Sequence, residues 1–216
     1  MSAPLRTRLA LDERRAQLVQ LGRALFNAHA YDELSIDDIA RAAGISKGLL
    51  YHYFPSKRAF YVATVRAAAD DMAARTDPGE GPPTPEARLD AGLDAYLSYV
   101  EENAMAFAHL LRGGIGADSE VAEIVESTRE RIVDRIARDL GRDRVIAIEQ
   151  VKGSVLRLAL RGWIGFVEAS SLEWVDRRET PREDLKRLLA ATLVATLQVV
   201  PTMAHTPKKH GAAKSR

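Results

Sequence analysis

The sequence predicts an all-α protein in which a short N-terminal helical module leads into a larger helical bundle. Three observations predict it. Apolar residues recur at helical spacing along most of the chain, and no segment shows the two-residue alternation of a strand. Residues suited to helix N-caps (Ser35, Ser46, Ser56 and Thr84) stand directly before helical runs. One Pro/Gly-rich stretch, TDPGEGPPTPE at 76–86, divides the chain into two unequal parts.

The elements follow in order. A first helix is expected from about Asp12, an N-cap, to about His29, with Leu18, Leu21, Leu25 and Phe26 on one face. Ser35 caps a short second helix, with Asp38 at N3 in the manner of a capping box. It ends near Ala43, and Gly44 is the residue that can turn the chain sharply there. Ser46 caps a third helix that must stop near Tyr53, because Pro55 disfavours helical geometry at Phe54. Ser56 caps a fourth, running to about Arg75. Thr84 and Pro85 restart helix as N-cap and N1. Further helices are expected at 85–101, 104–112, 118–140, 144–176 and 181–200, interrupted by RGGIGADS, by Gly141 and by RRETPRED. In the last of these, Thr180, Pro181 and Glu183 read as a capping box with proline at N1. The basic tail, residues 204–216, is expected to be disordered. Residues 12–56 then form the N-terminal module, 57–75 a connecting helix, and 76–203 the bundle.

Composition sets limits on function. With 46% hydrophobic and 28% charged residues, a chain of 216 is long enough for a substantial core. The net charge is only +1, so any basic surface must be local. Cysteine is absent, which excludes a disulfide framework and thiolate chemistry. The start, MSAPLRTRLALDERR, has no signal-peptide apolar run, and the apolar segment VLRLALRGWIGFVEA carries Arg157 and Arg161 and is too short to span a bilayer. The expectation is a soluble cytoplasmic protein with no membrane partner.

Residues 45–57, ISKGLLYHYFPSK, place four consecutive rings next to a proline, with a lysine near each end. Gly44 separates two short helices whose apolar positions, Ile36, Ile39, Ala40, Ile45 and Leu50, suit a steep crossing. That combination reads as a helix-turn-helix, whose second helix can enter a DNA major groove. Lys47 and Tyr51 are four apart and share a face, with Leu50 turned inward. Lys47 suits a phosphate or a guanine, and Tyr51 a phosphate, a sugar or a thymine methyl. The helix N-termini at Ser35 and Ser46 offer backbone N–H groups to phosphate. Lys57 is badly placed for the dipole of its own helix, which a phosphate partner would explain. Tyr53 and Phe54 read as packing residues, and His52 as either a backbone contact or a solvated ring. Short helix pairs with a glycine turn also occur in ordinary bundles, where Lys47 and Tyr51 would be silent; a helical interaction module is that alternative.

LSIDDIARAAGISKGLLYHYFPSKRAFY, residues 34–61, resembles the signature of the tetracycline-repressor (TetR-like) family of bacterial transcriptional regulators, and the resemblance extends back through RRAQLVQLGRALFNAHAYDEL to cover residues 12–70. It implies an all-α fold with a three-helix DNA-binding module and a divergent ligand-binding bundle that dimerises through its last two long helices. It also implies that Ser35, Ser46, Lys47, Gly48, Tyr51, His52, Tyr53 and Lys57 face DNA, with Gly48 allowing close approach. Leu49 stands where a threonine is common, so an apolar touch on a thymine methyl replaces a hydroxyl contact. The implied partners are a near-palindromic double-stranded operator, a small-molecule effector and a second copy of the chain.

In the bundle, residues 151–170 are apolar around most of the helix, which requires burial on more than one side. Gly153, Ala159, Gly162 and Gly165 permit close approach, and the alanine-rich final helix LKRLLAATLVATLQVV suits a twofold four-helix interface. Candidate effector-pocket residues are Tyr96, Phe107, His109, Leu110, Trp163, Phe166 and Glu168, though for any one of them plain core packing is the more ordinary explanation. Their character favours a hydrophobic ligand. No catalytic constellation appears. The five histidines are scattered, there is no HExxH, GxSxG or P-loop, and Glu101 and Glu102 are helix neighbours that do not face one another. No cofactor or metal is expected, and an enzyme is the remote alternative. The resulting expectation is a repressor dimer whose recognition helices lie about one DNA turn apart until a ligand shifts the population, with helix four as the lever.

Overall fold

Side-chain caps set most of the helix boundaries. The computed structural model describes residues 3–77, 79, 84–112, 118–143 and 154–203. Ser35 accepts the N–H of Asp38 and completes a capping box for α2 (Ile36–Ala42), Ser46 accepts from Leu49 for α3 (Lys47–Tyr53), and Ser56 accepts from Ala59 for α4 (Lys57–Arg75). Gly44 has φ of +64°, its N–H reaches Arg41 O at 3.1 Å, and that of Ile45 reaches Ala40 O at 3.1 Å. This is the Schellman pattern, and a Cβ at position 44 would be strained by φ even though no neighbour blocks it. Thr84 caps α5 (Pro85–Glu102), α6 spans Ala104–Leu111, and Asp118 caps α7 (Ser119–Arg142). Helices α8 (Ser154–Arg177) and α9 (Arg182–Met203) complete the described chain.

Several boundaries differ from the sequence expectation. Helix α1 spans Ala3–Ala28, so Asp12 is an interior residue; the preceding stretch holds good helix formers, with its one proline in the first turn, where proline is tolerated. A 3₁₀ turn, Tyr31–Glu33, follows α1, closed by the Ala30 N–H on Glu33 Oε2 at 2.9 Å. Helix α7 passes through Gly141, since a glycine in a last turn lowers helix stability without ending it. Pro181 sits at the N-cap of α9 and not at N1, as its carbonyl accepts from Leu185, while the Thr180 carbonyl accepts from Trp174 Nε1 at 2.8 Å. Most of the linker, most of RGGIGADS, Gly153, the expected helix start at 144–153 and the tail from 204 lie outside the described residues.

Two apolar clusters hold the helices. In the first, Ile39 and Leu50 lock α2 against α3, and Phe26, Phe54 and Phe60 join them to α1 and α4. Phe54 stands edge-on to Phe60 with centroids 5.0 Å apart. Val121 and Ile124, from the first turns of α7, belong to this same cluster. The second cluster fills the space between α5, α7, α8 and α9, with Leu97, Val133, Leu156, Leu160 and Leu189 fully buried.

Helix α1 crosses α4 at Gly22, where a Cβ would overlap Thr64 Oγ1 and come within 2.8 Å of Phe60 Cζ. Thr64 donates its hydroxyl to Phe60 O at 2.9 Å and is itself buried, so neither side can yield. Gly22→Ala is expected to destabilise the fold by about 1–3 kcal/mol through overpacking. Urea unfolding checks this; an unchanged midpoint would mean that the helices separate freely.

Candidate nucleic-acid interface and apolar cavities

Helix α3 is seven residues long and only its Leu50 is fully buried. Around that anchor, Leu49 and Tyr51 are 42% and 43% exposed, and Ser46, Lys47, Gly48 and His52 are also exposed. Gly48 has open space where a Cβ would sit, so no intramolecular packing demands a glycine. Tyr53 is half-buried against the first cluster, with its ring edge-on to His52 at 5.6 Å. Lys47 Nζ donates to Asp37 Oδ2 at 2.8 Å, and this bond raises the affinity of Lys47 for its proton. An exposed pair of this kind is weak, because water screens both partners, so a phosphate can displace Asp37. Ser35 is exposed, but its oxygen and the Asp38 carboxylate are both engaged in the capping box; the Ser35 hydrogen bonds hold the Asp38 pKa down to about 2.

Lys57 is placed differently from the expectation. Its ammonium donates to Tyr31 O and Leu34 O, each at 3.0 Å, and lies 4.0 Å from the centre of the Tyr31 ring. These contacts tie α4 to the segment before α2. They explain a cation at a helix N-terminus without a phosphate, because the carbonyls and the ring supply the compensating negative potential.

Two apolar cavities lie behind this module. The larger, about 240 Å³, lies between α4, α5, α6, α7, α8 and α9 and is lined by Tyr96, Phe107, Trp163 and Glu168 among others. The smaller, about 110 Å³, lies between α1, α4, α6 and α7 and is lined by Tyr31, Tyr61, His109 and Leu110 among others. Met72, Phe107, Ile132 and Glu168 line both and form the wall between them. Six of the seven sequence-predicted pocket residues therefore face one cavity or both. Phe166 faces neither. It is 38% exposed on α8, on a flank with Val155, Leu158 and Gly162, because its position turns it away from Trp163 and Val167.

Glu168 accepts a two-pronged contact from Arg129, Nε at 2.9 Å and Nη2 at 2.7 Å, and this bonding raises the Arg129 pKa. Burial, assisted by the Glu168 charge, pushes the Tyr96 phenol pKa up. Neither Arg129 nor the smaller cavity is legible in the sequence, since both arise where helices distant in sequence meet. At the junction of the two regions, Arg58 of α4 donates to Asp118 (2.5 and 2.8 Å), the cap of α7, and that contact holds the Asp118 pKa down.

Among the described residues, no cluster of three or more His, Asp or Glu could hold a metal, and no helix is long and apolar enough to cross a membrane. Comparison with known proteins accounts for this arrangement. Residues 18–64 match the family described as bacterial regulatory proteins, tetR family, and residues 85–196 match the tetracyclin repressor-like C-terminal domain. The chain is 30% identical to the HTH-type transcriptional activator FasR of Mycolicibacterium smegmatis over 157 residues, which cover 68% of this chain and 72% of that one. It is 33% identical to a tetR-family transcriptional regulator from Streptomyces coelicolor, whose crystal structure superposes with a TM-score of 0.73 over 89% of this chain and 85% of that one. The fold is shared with the transcriptional regulator FadR of Bacillus subtilis, solved in complex with stearoyl-CoA, at a TM-score of 0.61, 18% identity and coverage of 86% of this chain and 96% of that one. The buried Leu50 anchor with exposed Lys47 and Tyr51, set before a bundle that encloses apolar cavities, is thus the arrangement of a helix-turn-helix transcriptional regulator, and the chain belongs to the TetR family.

Proposed function

We propose that the protein is a cytoplasmic homodimer that reads a near-palindromic operator through α3 of each protomer, represses transcription while bound, and is released by a hydrophobic small molecule. Residues 12–56 do the reading, with α4 carrying the signal from residues 76–203, which bind the effector and dimerise. Ser46, Lys47, Gly48, Leu49, Tyr51 and His52 contact DNA, while Ser35 caps α2, Tyr53 packs against the first apolar cluster and Lys57 ties α4 to the segment before α2. On this reading the protein acts as a regulator and not as an enzyme. One observation carries this reading: the smaller cavity is built jointly by α1 and α4 of the DNA-reading part and by α6 and α7 of the bundle. A ligand that widens it acts directly on the helices that hold α3.

Ligand binding can release DNA only through unequal affinity for the two forms, and the effect is reciprocal. Genomic-fragment selection yields the operator, and that operator fused to a reporter gives the sign of regulation. Saturating operator is then expected to weaken effector binding by about 5–150-fold, the usual range of such coupling. Equal effector affinity with and without operator would refute ligand release.

A further inference from the structure

Almost every cation around the reading helix already has a partner inside the chain. Among the described lysines and arginines of residues 11–66, Arg23, Arg41, Lys47, Arg58 and Arg66 each face a carboxylate, and Lys57 sits on two carbonyls. Arg14 donates to the neutral Gln17 at 3.0 Å. Arg15 differs from all of these. It is exposed on α1, its guanidinium lies over the ring of Phe54 at 4.9 Å from the centre, and that guanidinium makes no ion pair or hydrogen bond.

Phe54 is where α3 stops. Its N–H closes the helix on Leu50 O and its ring is buried, so Arg15 is held at the C-terminal edge of the reading helix. A helix of seven residues is about 10 Å long and the major groove about 12 Å wide, so a cation flanking the helix end meets the phosphates that border the groove. Stacking holds the planar head by its face and leaves its N–H edges open for a two-pronged grip on phosphate oxygens. A paired cation must first surrender its carboxylate, whereas Arg15 keeps its whole charge for DNA. The surrounding charge has the right sign: residues 3–15 hold four arginines against Asp12 and Glu13, a net +2 in a chain whose total is +1. Resting on the reading role of α3 proposed above, we infer that Arg15 binds a backbone phosphate of the operator beside the major groove, so that α1 is part of the DNA interface.

Arg15→Met keeps an unbranched chain over Phe54 and removes the charge, while Arg15→Lys keeps the charge. Both are compared with wild type by fluorescence anisotropy across a salt series, on the selected operator and on an unrelated duplex of equal length. Arg15→Met is expected to weaken binding to both duplexes by about tenfold to a hundredfold, because a phosphate contact carries no sequence information and is lost in each protomer. The slope of log K against log salt should become shallower by about 2, and Arg15→Lys should keep the wild-type slope. A residue that only covers Phe54 would instead change the unfolding midpoint and leave the slope alone. A wild-type slope in Arg15→Met, with or without lost affinity, would overturn the inference, as would a loss confined to the operator. Failure of the wild-type protein to bind any selected fragment would refute the regulator reading, and this inference with it.

Discussion

Replacing Lys47 and Tyr51 together by alanine should lower operator affinity by about a thousandfold or more. Each direct contact to base or phosphate contributes about 1–3 kcal/mol, and a symmetric dimer makes each one twice. Four lost contacts at the low end already total about 4 kcal/mol, or roughly three decades in Kd. The Lys47–Asp37 pair offsets little of this, since an exposed pair contributes less than one such contact. The salt dependence should change as well: if Lys47 neutralises one phosphate per half-site, the slope of log K against log salt becomes shallower by about 2. Both side chains are exposed and neither belongs to the apolar clusters, so the variant should keep its helicity and unfolding midpoint. Titration of the selected operator across a salt series, with circular dichroism on the same samples, makes the comparison. A double variant that binds like wild type would remove α3 from the interface.

Leu158→Glu should convert the dimer to monomer. Leu158 is 73% exposed in the single chain, the most exposed large apolar residue among those described, and Leu188 on α9 is 49% exposed. Helices α8 and α9 pack on each other, so Val155, Leu158 and Phe166 of one and Leu188, Ala191 and Ala195 of the other can combine into one outward apolar surface. Its twofold copy is the partner that the family expectation supplies. A carboxylate there would be buried without a cation in each protomer, and an uncompensated buried ion costs several kcal/mol. Light scattering should report the monomer mass, and operator affinity should fall with it because one reading helix alone cannot span two half-sites. The isolated protomer should fold normally, as residue 158 faces outward. A Leu158→Glu protein of dimer mass would move the interface elsewhere.

The elements that local chemistry determines were legible in the sequence. Ser35, Ser46, Ser56 and Thr84 cap the helices they were expected to cap, and Gly44 adopts the left-handed turn because the chain must reverse there. Legibility failed where the deciding partner is distant in sequence. Lys57 has an unfavourable position by helix-dipole reasoning, and two carbonyls 23 and 26 residues away resolve it. From sequence Phe166 reads as a pocket residue, because an all-apolar helix does not reveal which of its flanks faces the core. Arg129 is not legible as a site residue, because its carboxylate partner is 39 residues further along the chain.

Val121 and Ile124 give the architecture a consequence for anyone who would exchange its parts. The apolar cluster that steadies α2 and α3 is completed by two residues of α7, and Arg58 grips the cap of that helix. The portable reading head is therefore discontinuous along the gene: a chimera cut after Arg75 and grafted onto a foreign sensor leaves two side chains of its own interior behind. A successful transplant must recreate the opening turns of α7, Asp118 through Ile124, on the recipient.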